Sequence, residues 1–325
     1  MRIQIDVQVW RGAIRESRHR VHAVVCDAAG RRFASTEDAE LVTSFRSSAK
    51  PFQLLPLVER GHAERFGFRD EELAVMAGSH TGSAYHLGLV RGILSRLGLT
   101  ESKLACGYHD PVDADSLAHV QKHPADRTGL YNNCSGKHAG MLALAVAEGW
   151  PLAGYERDDH PLQRLMAATV AECCDVPVAS LQLGVDGCSV CVFGLPLAAM
   201  ARGYARLAAA RGAMQAFPVA TSGVGRFSTV LMESAPAVLV AKAGAEGLEC
   251  VGLVERGLGV ALKCEDGAMR ALAPATVALL DQLGSLDGAA LEKLAAQRRP
   301  LVTNAAGIAA GHLEAEIRVL APASA

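Results

Sequence analysis

Apolar and polar residues alternate in two stretches near the start of the chain, about Ile5 to Trp10 and about His19 to Cys26, with turns near Gly12 and at Ala28-Ala29-Gly30-Arg31. A period of two predicts an antiparallel hairpin or meander with one face buried. Strand-like text returns only towards the other end, in Ala237 to Ala243, Leu248 to Val254, Gly259 to Cys264 and Glu314 to Leu320. Between them, apolar positions recur near every 3.6 residues. That spacing predicts helices over Pro51–Arg60, Glu71–Gly78, Ala84–Leu97, Lys137–Glu148, Leu162–Cys173 and Pro196–Leu207. Strands at both ends with helices between them predict an α+β fold, in which N- and C-terminal strands build one antiparallel sheet flanked by helices. The chain reads as a single unit over 1–325, divisible at most into sheet-forming 1–45 and 230–325 and mainly helical 46–229. Gly107–Arg127 and Pro218–Arg226 read as loops, and the tail Leu320–Ala325 as frayed.

Composition narrows the class. With 50% hydrophobic and 20% charged residues among 325, and a mean hydropathy of +0.19, the chain buries a large core and is not disordered. The 32 basic and 34 acidic residues leave a net charge of -2, and no basic cluster is interleaved with aromatics, so a nucleic-acid partner is not expected. Apolar runs such as Ala235–Ala241 fall far short of the roughly 20 residues a spanning helix needs, so no membrane partner is expected either. Met1–Val7 carries polar residues where an export signal needs an apolar run. Nine cysteines in no framework spacing fit reduced thiols, and together these features predict a cytoplasmic protein.

The densest chemistry lies in Tyr131-Asn132-Asn133-Cys134-Ser135-Gly136-Lys137-His138-Ala139-Gly140-Met141, which crowds a thiol, an amine, an imidazole and two carboxamides around a glycine turn. Gly136-Lys137 is like a phosphate-binding loop, but Tyr131 and His138 stand where that motif needs a glycine and a hydroxyl, so the nucleotide reading fails. Cys134, Lys137 and Cys188 can converge on zinc: two soft sulfurs suit the ion, and the amine joins them when neutral. They are equally readable as buried thiols. His138 and Asp186 could orient such ligands or satisfy turns, and His80 and Asn133 are further candidates to orient ligands or touch substrate. Cys173-Cys174 point apart on a helix and read as packing.

Ser47-x-x-Lys50 puts a hydroxyl and an amine on one face if the segment is helical. Pro51 is cheap only in a first helical turn, which predicts a helix starting near Ser48 with Ser47 at its mouth. Such a lysine acts as a base only when neutral, which requires desolvation or a second cation. Read plainly, the pair is a capped helix start with a solvated lysine. Ser79, in Gly78-Ser79-His80-Thr81-Gly82, is a second candidate hydroxyl or an N-cap for the next helix. Lys263, near the end of a strand, carries no independent weight.

Taken in order, Ser-Ser-Ala-Lys-Pro-Phe-Gln at 47–53, Ser-His-Thr-Gly at 79–82, the Asn-Asn-Cys-Ser-Gly-Lys-His-Ala-Gly-Met-Leu block at 132–142, Asp-Gly-Cys at 186–188 and Lys-x-Gly-Ala-Glu-Gly at 242–247 resemble the Rhizobium etli type of L-asparaginase, the class 3 family. The resemblance runs from about Val7 to about Leu320. It implies an amidohydrolase converting L-asparagine to L-aspartate and ammonia, with a fold like those of serine β-lactamases and serine-dependent glutaminases, and a homodimer. Ser47 with Lys50 would match the family's first serine–lysine pair and Ser79 with Lys263 the second. Cys134, Lys137 and Cys188 would match its zinc ligands, with the metal supporting substrate binding. The mechanism implied has Lys50 accepting the Ser47 proton during attack, Lys263 and Ser79 relaying a proton to ammonia, and an N–H near Ser48 stabilising the oxyanion. Ser228, Ser83 and Cys191 stand where the family more often has aspartate, glutamate and proline. Two rival classes remain open: a glutaminase or an enzyme acting on β-lactams, which would need Ser-x-Asn and Lys-Thr-Gly segments not found in the expected order, and a metal-dependent binding protein.

Overall fold

Alternation over the first residues becomes β1 (Ile3–Arg11) and β2 (Ile14–Asp27), joined at Gly12, whose φ of 55° suits glycine. The computed structural model describes residues 1–209 and 212–321, and the end of the tail expected to fray, 322–325, lies outside the described residues. Short strands β3 (Arg32–Ser35) and β4 (Val42–Ser44) follow. The C-terminal text becomes β7 (Leu239–Gly244), β8 (Leu248–Leu253), β9 (Leu258–Cys264), β10 (Leu301–Thr303) and β11 (Ala309–Val319). These build one sheet in the order β10-β11-β1-β2-β9-β8-β7, with β3 on β2. Its pairings are antiparallel, and the join between the two chain ends is double: β1 pairs with β11, with Ile5 opposite Ile317, and β2 pairs with β9, with Val24 opposite Ala261. The α+β architecture expected of the sequence is present.

The chain divides into two compact units. One is this sheet, from residues 1–48, the segment beginning at Leu195, and the chain from Val230 on. Helix Leu197–Ala209 packs on β2, β8 and β9, and helix Leu272–Gln282 on β1, β8, β9 and β11. Every residue of β8 is accordingly buried, as in a strand covered on both faces. Helix Leu197–Ala209, expected within the mainly helical stretch 46–229, belongs with the sheet.

The other unit comprises Ala49–Gly194 and Gly212–Thr229. It carries helices Lys50–Glu59, Asp70–Met76, Ala84–Arg96, Ser135–Glu148 and Pro161–Cys174. Ser135–Glu148 is its centre, buried at each position from Ser135 to Ala145. Gly136 makes this possible: a Cβ there would lie 2.4 Å from the Val75 carbonyl oxygen, so the helix approaches Asp70–Met76 backbone to backbone.

Two expectations fail here. The middle of the chain is not free of strands, because β5 (Gln182–Val185) pairs antiparallel with β6 (Cys191–Pro196). All of β5 is exposed, so it shows none of the alternation that reveals a half-buried strand. The loops expected over 107–127 and 218–226 contain helices Ala114–Lys122 and Pro218–Ser222, too short to establish a 3.6-residue period.

Candidate active site

Lys50 organises the helical unit. It opens helix Lys50–Glu59, with Pro51 in the first turn as expected, but the helix starts later than predicted: Arg46–Ala49 forms a 3₁₀ turn that holds Ser47. Arg46 enters that turn at φ 44°, a left-handed conformation uncommon for a residue with a side chain. Lys50 is 1% exposed, and its Nζ donates to the Gly78 carbonyl at 2.7 Å, to Ser79 Oγ at 2.8 Å and to the Asn133 carbonyl at 3.5 Å. A buried amine has few favourable environments, and converging oxygens provide one.

Ser79 lies in the loop between helices Asp70–Met76 and Ala84–Arg96 and does not cap the second of them. Ser83 takes the cap position, and its hydroxyl lies 2.7 Å from His86 Nδ1. The loop is fixed from several sides. Ser79 N–H donates to the Thr221 carbonyl at 2.7 Å and His80 N–H to the Asn133 carbonyl at 3.2 Å. A Cβ on Gly78 would meet the Thr221 oxygen at 2.3 Å, so only glycine allows this approach.

His80 ties the same loop to helix Ser135–Glu148. Its Nδ1 accepts from Gly82 N–H at 3.1 Å, and its Nε2 lies 2.8 Å from Ser135 Oγ, whose proton goes to the Leu130 carbonyl. These partners define one neutral tautomer, with the proton on Nε2. Burial, followed by the His86 and Lys50 charges, holds the imidazole well below its ordinary range, so His80 is uncharged at neutral pH. It positions Ser79 rather than titrating beside it.

The sulfur cluster begins at the residue that follows Asn133. Cys134 caps helix Ser135–Glu148, and Cys188 sits in the Asp186–Ser189 turn between β5 and β6, where Ser189 takes φ 76°. Lys137 Nζ donates to Cys188 Sγ at 3.0 Å, Asp186 Oδ2 lies 3.7 Å from the same sulfur, and the Asn133 side-chain amide lies 3.2 Å from Cys134 Sγ. Cys134, Lys137 and Cys188 are 5%, 4% and 3% exposed. The Cys188 thiol donates to Cys134, and with the Lys50 and Lys137 charges it holds Cys134 well below the usual thiol range despite burial. That same contact, with burial, pushes Cys188 up. Burial opposes the charge on Lys137, but the two sulfurs and Asp186 outweigh it and push the amine up to about 12. His138 is fully buried with Nδ1 2.6 Å from Tyr155 Oη, and burial together with the Lys137 and Lys50 charges holds it neutral.

As a donor set, two facing sulfurs and an amine fit zinc. Displacing the Cys188 and Lys137 protons with a divalent cation would leave two thiolates and a neutral amine around it, with the charges balanced. Cys191, the extra thiol expected nearby, is buried in β6, and burial raises its thiol. None of the nine cysteines is in a disulfide.

The sheet unit holds the remaining candidates. Lys263, expected to partner Ser79, is half-buried in β9; its Nζ donates to the adjacent Cys264 carbonyl, and it lines a charged cavity of about 470 Å³ with Arg20, His22, Asp38 and Glu265. Ser79 Oγ accepts from the amine of Lys50. The expected oxyanion donor is a backbone N–H near Ser48, and the N–H of Ser48 itself donates to the Phe45 carbonyl at 3.1 Å. Sequence reasoning gave no role to Lys242, although its strand segment was among the matching motifs. Lys242 is 1% exposed on β7, its Nζ donates to the Ala243 carbonyl at 2.7 Å, and its own carbonyl accepts from Ser48 Oγ at 2.8 Å. The signal was Lys-x-Gly in an apolar strand, a lysine with no solvent face to occupy.

A family model described as L-asparaginase II matches residues 7–315. Among curated proteins no relative matches. Among solved structures, a β-lactamase from Mycobacterium bovis is similar over 81% of this chain and 94% of its own, at 12% identity and a TM-score of 0.39. No helix among the described residues is long and apolar enough to cross a membrane.

Proposed function

The chain belongs to the L-asparaginase II family and is an asparaginase-type hydrolase, and from that premise we propose that it is of the Rhizobium etli type, hydrolysing the side-chain amide of L-asparagine through an acyl-serine. The observation that carries this reading is the part-buried contact of Lys50 Nζ with Ser79 Oγ at 2.8 Å, a serine and a lysine brought together from segments 29 residues apart. Ser47 is the nucleophile by resemblance, at the mouth of the helix that Lys50 opens. Lys50 takes the Ser47 proton as the oxygen bonds to the amide carbon. Ser79 then passes its proton to the amide nitrogen as the C–N bond breaks and ammonia leaves, and Lys50 hands the proton it took from Ser47 to Ser79, restoring both groups. Water hydrolyses the aspartyl ester, returning serine. A base so placed contributes roughly 10²- to 10⁴-fold.

Lys242 replaces Lys263 as the second lysine in this proposal, because Lys242 is buried beside Ser48 whereas Lys263 borders a charged surface cavity. Cys134, Lys137 and Cys188 would hold zinc, with His138, Asp186 and Asn133 around them. When bound, the ion would supply a positive anchor for a substrate oxygen or nitrogen. A homodimer, taken from the resemblance, and a cytoplasmic location, taken from the polar amino terminus and the cysteine spacing, complete the proposal.

A second reading, favoured by the same hydrogen bond, makes Ser79 the nucleophile. Quenching turnover of asparagine with acid and mapping the aspartyl adduct by mass spectrometry separates the two. The expected adduct is on the peptide bearing Ser47, and it is absent in Ser47→Ala. An adduct on Ser79 transfers the nucleophile's role there, and ammonia release undiminished in both Ser47→Ala and Ser79→Ala ends the acyl-serine proposal.

A further inference from the structure

The sheet unit contains a cluster of metal-binding side chains that the hydrolytic reading does not use. His19 lies on β2, and Cys264 ends β9 opposite Val21, two residues from His19 on the same face. Asp266 follows in the turn after β9. The ligand-bearing atoms of these three lie within 4.8 Å of one another. Asp266 bridges the other two: its Oδ2 is 2.7 Å from His19 Nδ1, and its Oδ1 accepts from Cys264 Sγ at 3.0 Å. His19 is 6% exposed and Cys264 is fully buried, whereas 53% of the Asp266 side chain is exposed, leaving an approach from solvent.

We propose that His19, Cys264 and Asp266 bind a zinc-class divalent cation, with water as fourth ligand, pinning the turn after β9 to β2. One nitrogen, one sulfur and one carboxylate are donors zinc accepts in a single tetrahedral shell. Bond lengths of about 2.0 to 2.3 Å put tetrahedral ligand atoms roughly 3.3 to 3.8 Å apart, so the 2.7 and 3.0 Å contacts need to widen by less than about 1 Å. Asp266 can supply that shift, because it sits in an exposed turn. The balance of charge also fits: a thiolate, a carboxylate and a neutral imidazole total two negative charges against the ion's two positive ones.

Arg270 opposes the ion. Its Nε donates to His19 Nε2 at 3.0 Å, which fixes the imidazole proton on Nδ1, facing Asp266. Metal on Nδ1 moves that proton to Nε2, where it meets the Arg270 N–H, donor against donor. Arg270 must then turn aside, in the direction its guanidinium already takes towards Ser17 Oγ at 3.5 Å. Arg270→Gln, whose amide oxygen can accept the Nε2 proton, therefore binds metal more tightly than the parent.

This inference does not rest on the hydrolytic reading, and its test removes the other thiol set. Cobalt(II) is titrated into the full chain carrying Cys134→Ser and Cys188→Ser, following sulfur-to-cobalt charge transfer and tetrahedral d–d absorption. One equivalent is expected, lost with His19→Gln or Cys264→Ser and tightened at least severalfold by Arg270→Gln. A folded double variant that develops no such bands, or bands that survive His19→Gln, overturns the site. Should the double variant not fold, zinc content after equilibration and desalting is compared between the parent chain and His19→Gln. A loss of one equivalent supports the site and equal content overturns it.

Discussion

The two units treat their lysines differently. In the helical unit, Lys50 and Lys137 are 1% and 4% exposed, and each points at acceptors delivered from other segments: Gly78, Ser79 and Asn133 for one, Cys188 for the other. In the sheet unit, Lys242 is buried beside Ser48, while Lys263 turns to its own strand end and a cavity shared with Asp38 and Glu265. A lysine kept from water and met by converging acceptors is held in one geometry, whereas a lysine among exposed carboxylates is screened and replaceable. Reaction chemistry belongs with the first kind.

Lys50→Met lowers kcat for ammonia release from asparagine by about 10³-fold, within the range for loss of a positioned base, while Lys263→Met changes it by less than about 3-fold. Equal losses in the two variants would mean that burial does not distinguish these lysines.

Packing gives the next effect. Gly136→Ala puts a Cβ 2.4 Å from Val75 O, and Gly259→Ala puts one 1.8 Å from Ala201 O. Each is expected to cost about 1 to 3 kcal/mol in urea unfolding, as overpacking does. Gly136→Ala should also depress kcat more than Gly259→Ala, because it displaces the helix that carries Lys137 and is capped by Cys134.

Glu72 sharpens the picture of the helical unit. Burial would raise its carboxyl, but Arg96 at 2.9 Å and the Arg69 N–H at 2.8 Å outweigh burial and hold it below the ordinary range. A carboxylate depressed in the folded state adds stability that is complete above its unfolded value, about 4.3. That stability disappears as pH falls through the lower folded value. Glu72→Gln is expected to lose about 1.5 to 3 kcal/mol at pH 7 and to flatten the acid side of the stability profile, measured by urea unfolding at a series of pH values. An unchanged slope would show that Glu72 is not what acid attacks.

The smallest expected effect has the opposite sign. A Cβ on Gly88, within helix Ala84–Arg96, meets nothing within 4 Å, so Gly88→Ala is expected to stabilise by about 0.5 to 1 kcal/mol. Thermal unfolding checks it, and a destabilised variant would show that the glycine serves a contact not seen here.

What the sequence determined by itself is the part governed by local periodicity and covalent neighbourhood. Alternation over β1 and β2 and helical spacing over Ala84–Arg96 and Ser135–Glu148 came out within a few residues, because burying one face imposes a period of two or 3.6. The exposed β5 and the short helix Pro218–Ser222 bury too little to leave such a record. The density of polar groups around Cys134 and the ordered motifs that point to an amidohydrolase were likewise legible in the chain. Only the tertiary structure decided which groups meet. That Lys50 faces Ser79, that Lys242 is enclosed while Lys263 borders a charged cavity, and that Ser48 N–H is already engaged all depend on which backbone carbonyls converge after folding. A lysine's spelling is the same in water and in a core; its surroundings are set by segments far away along the chain.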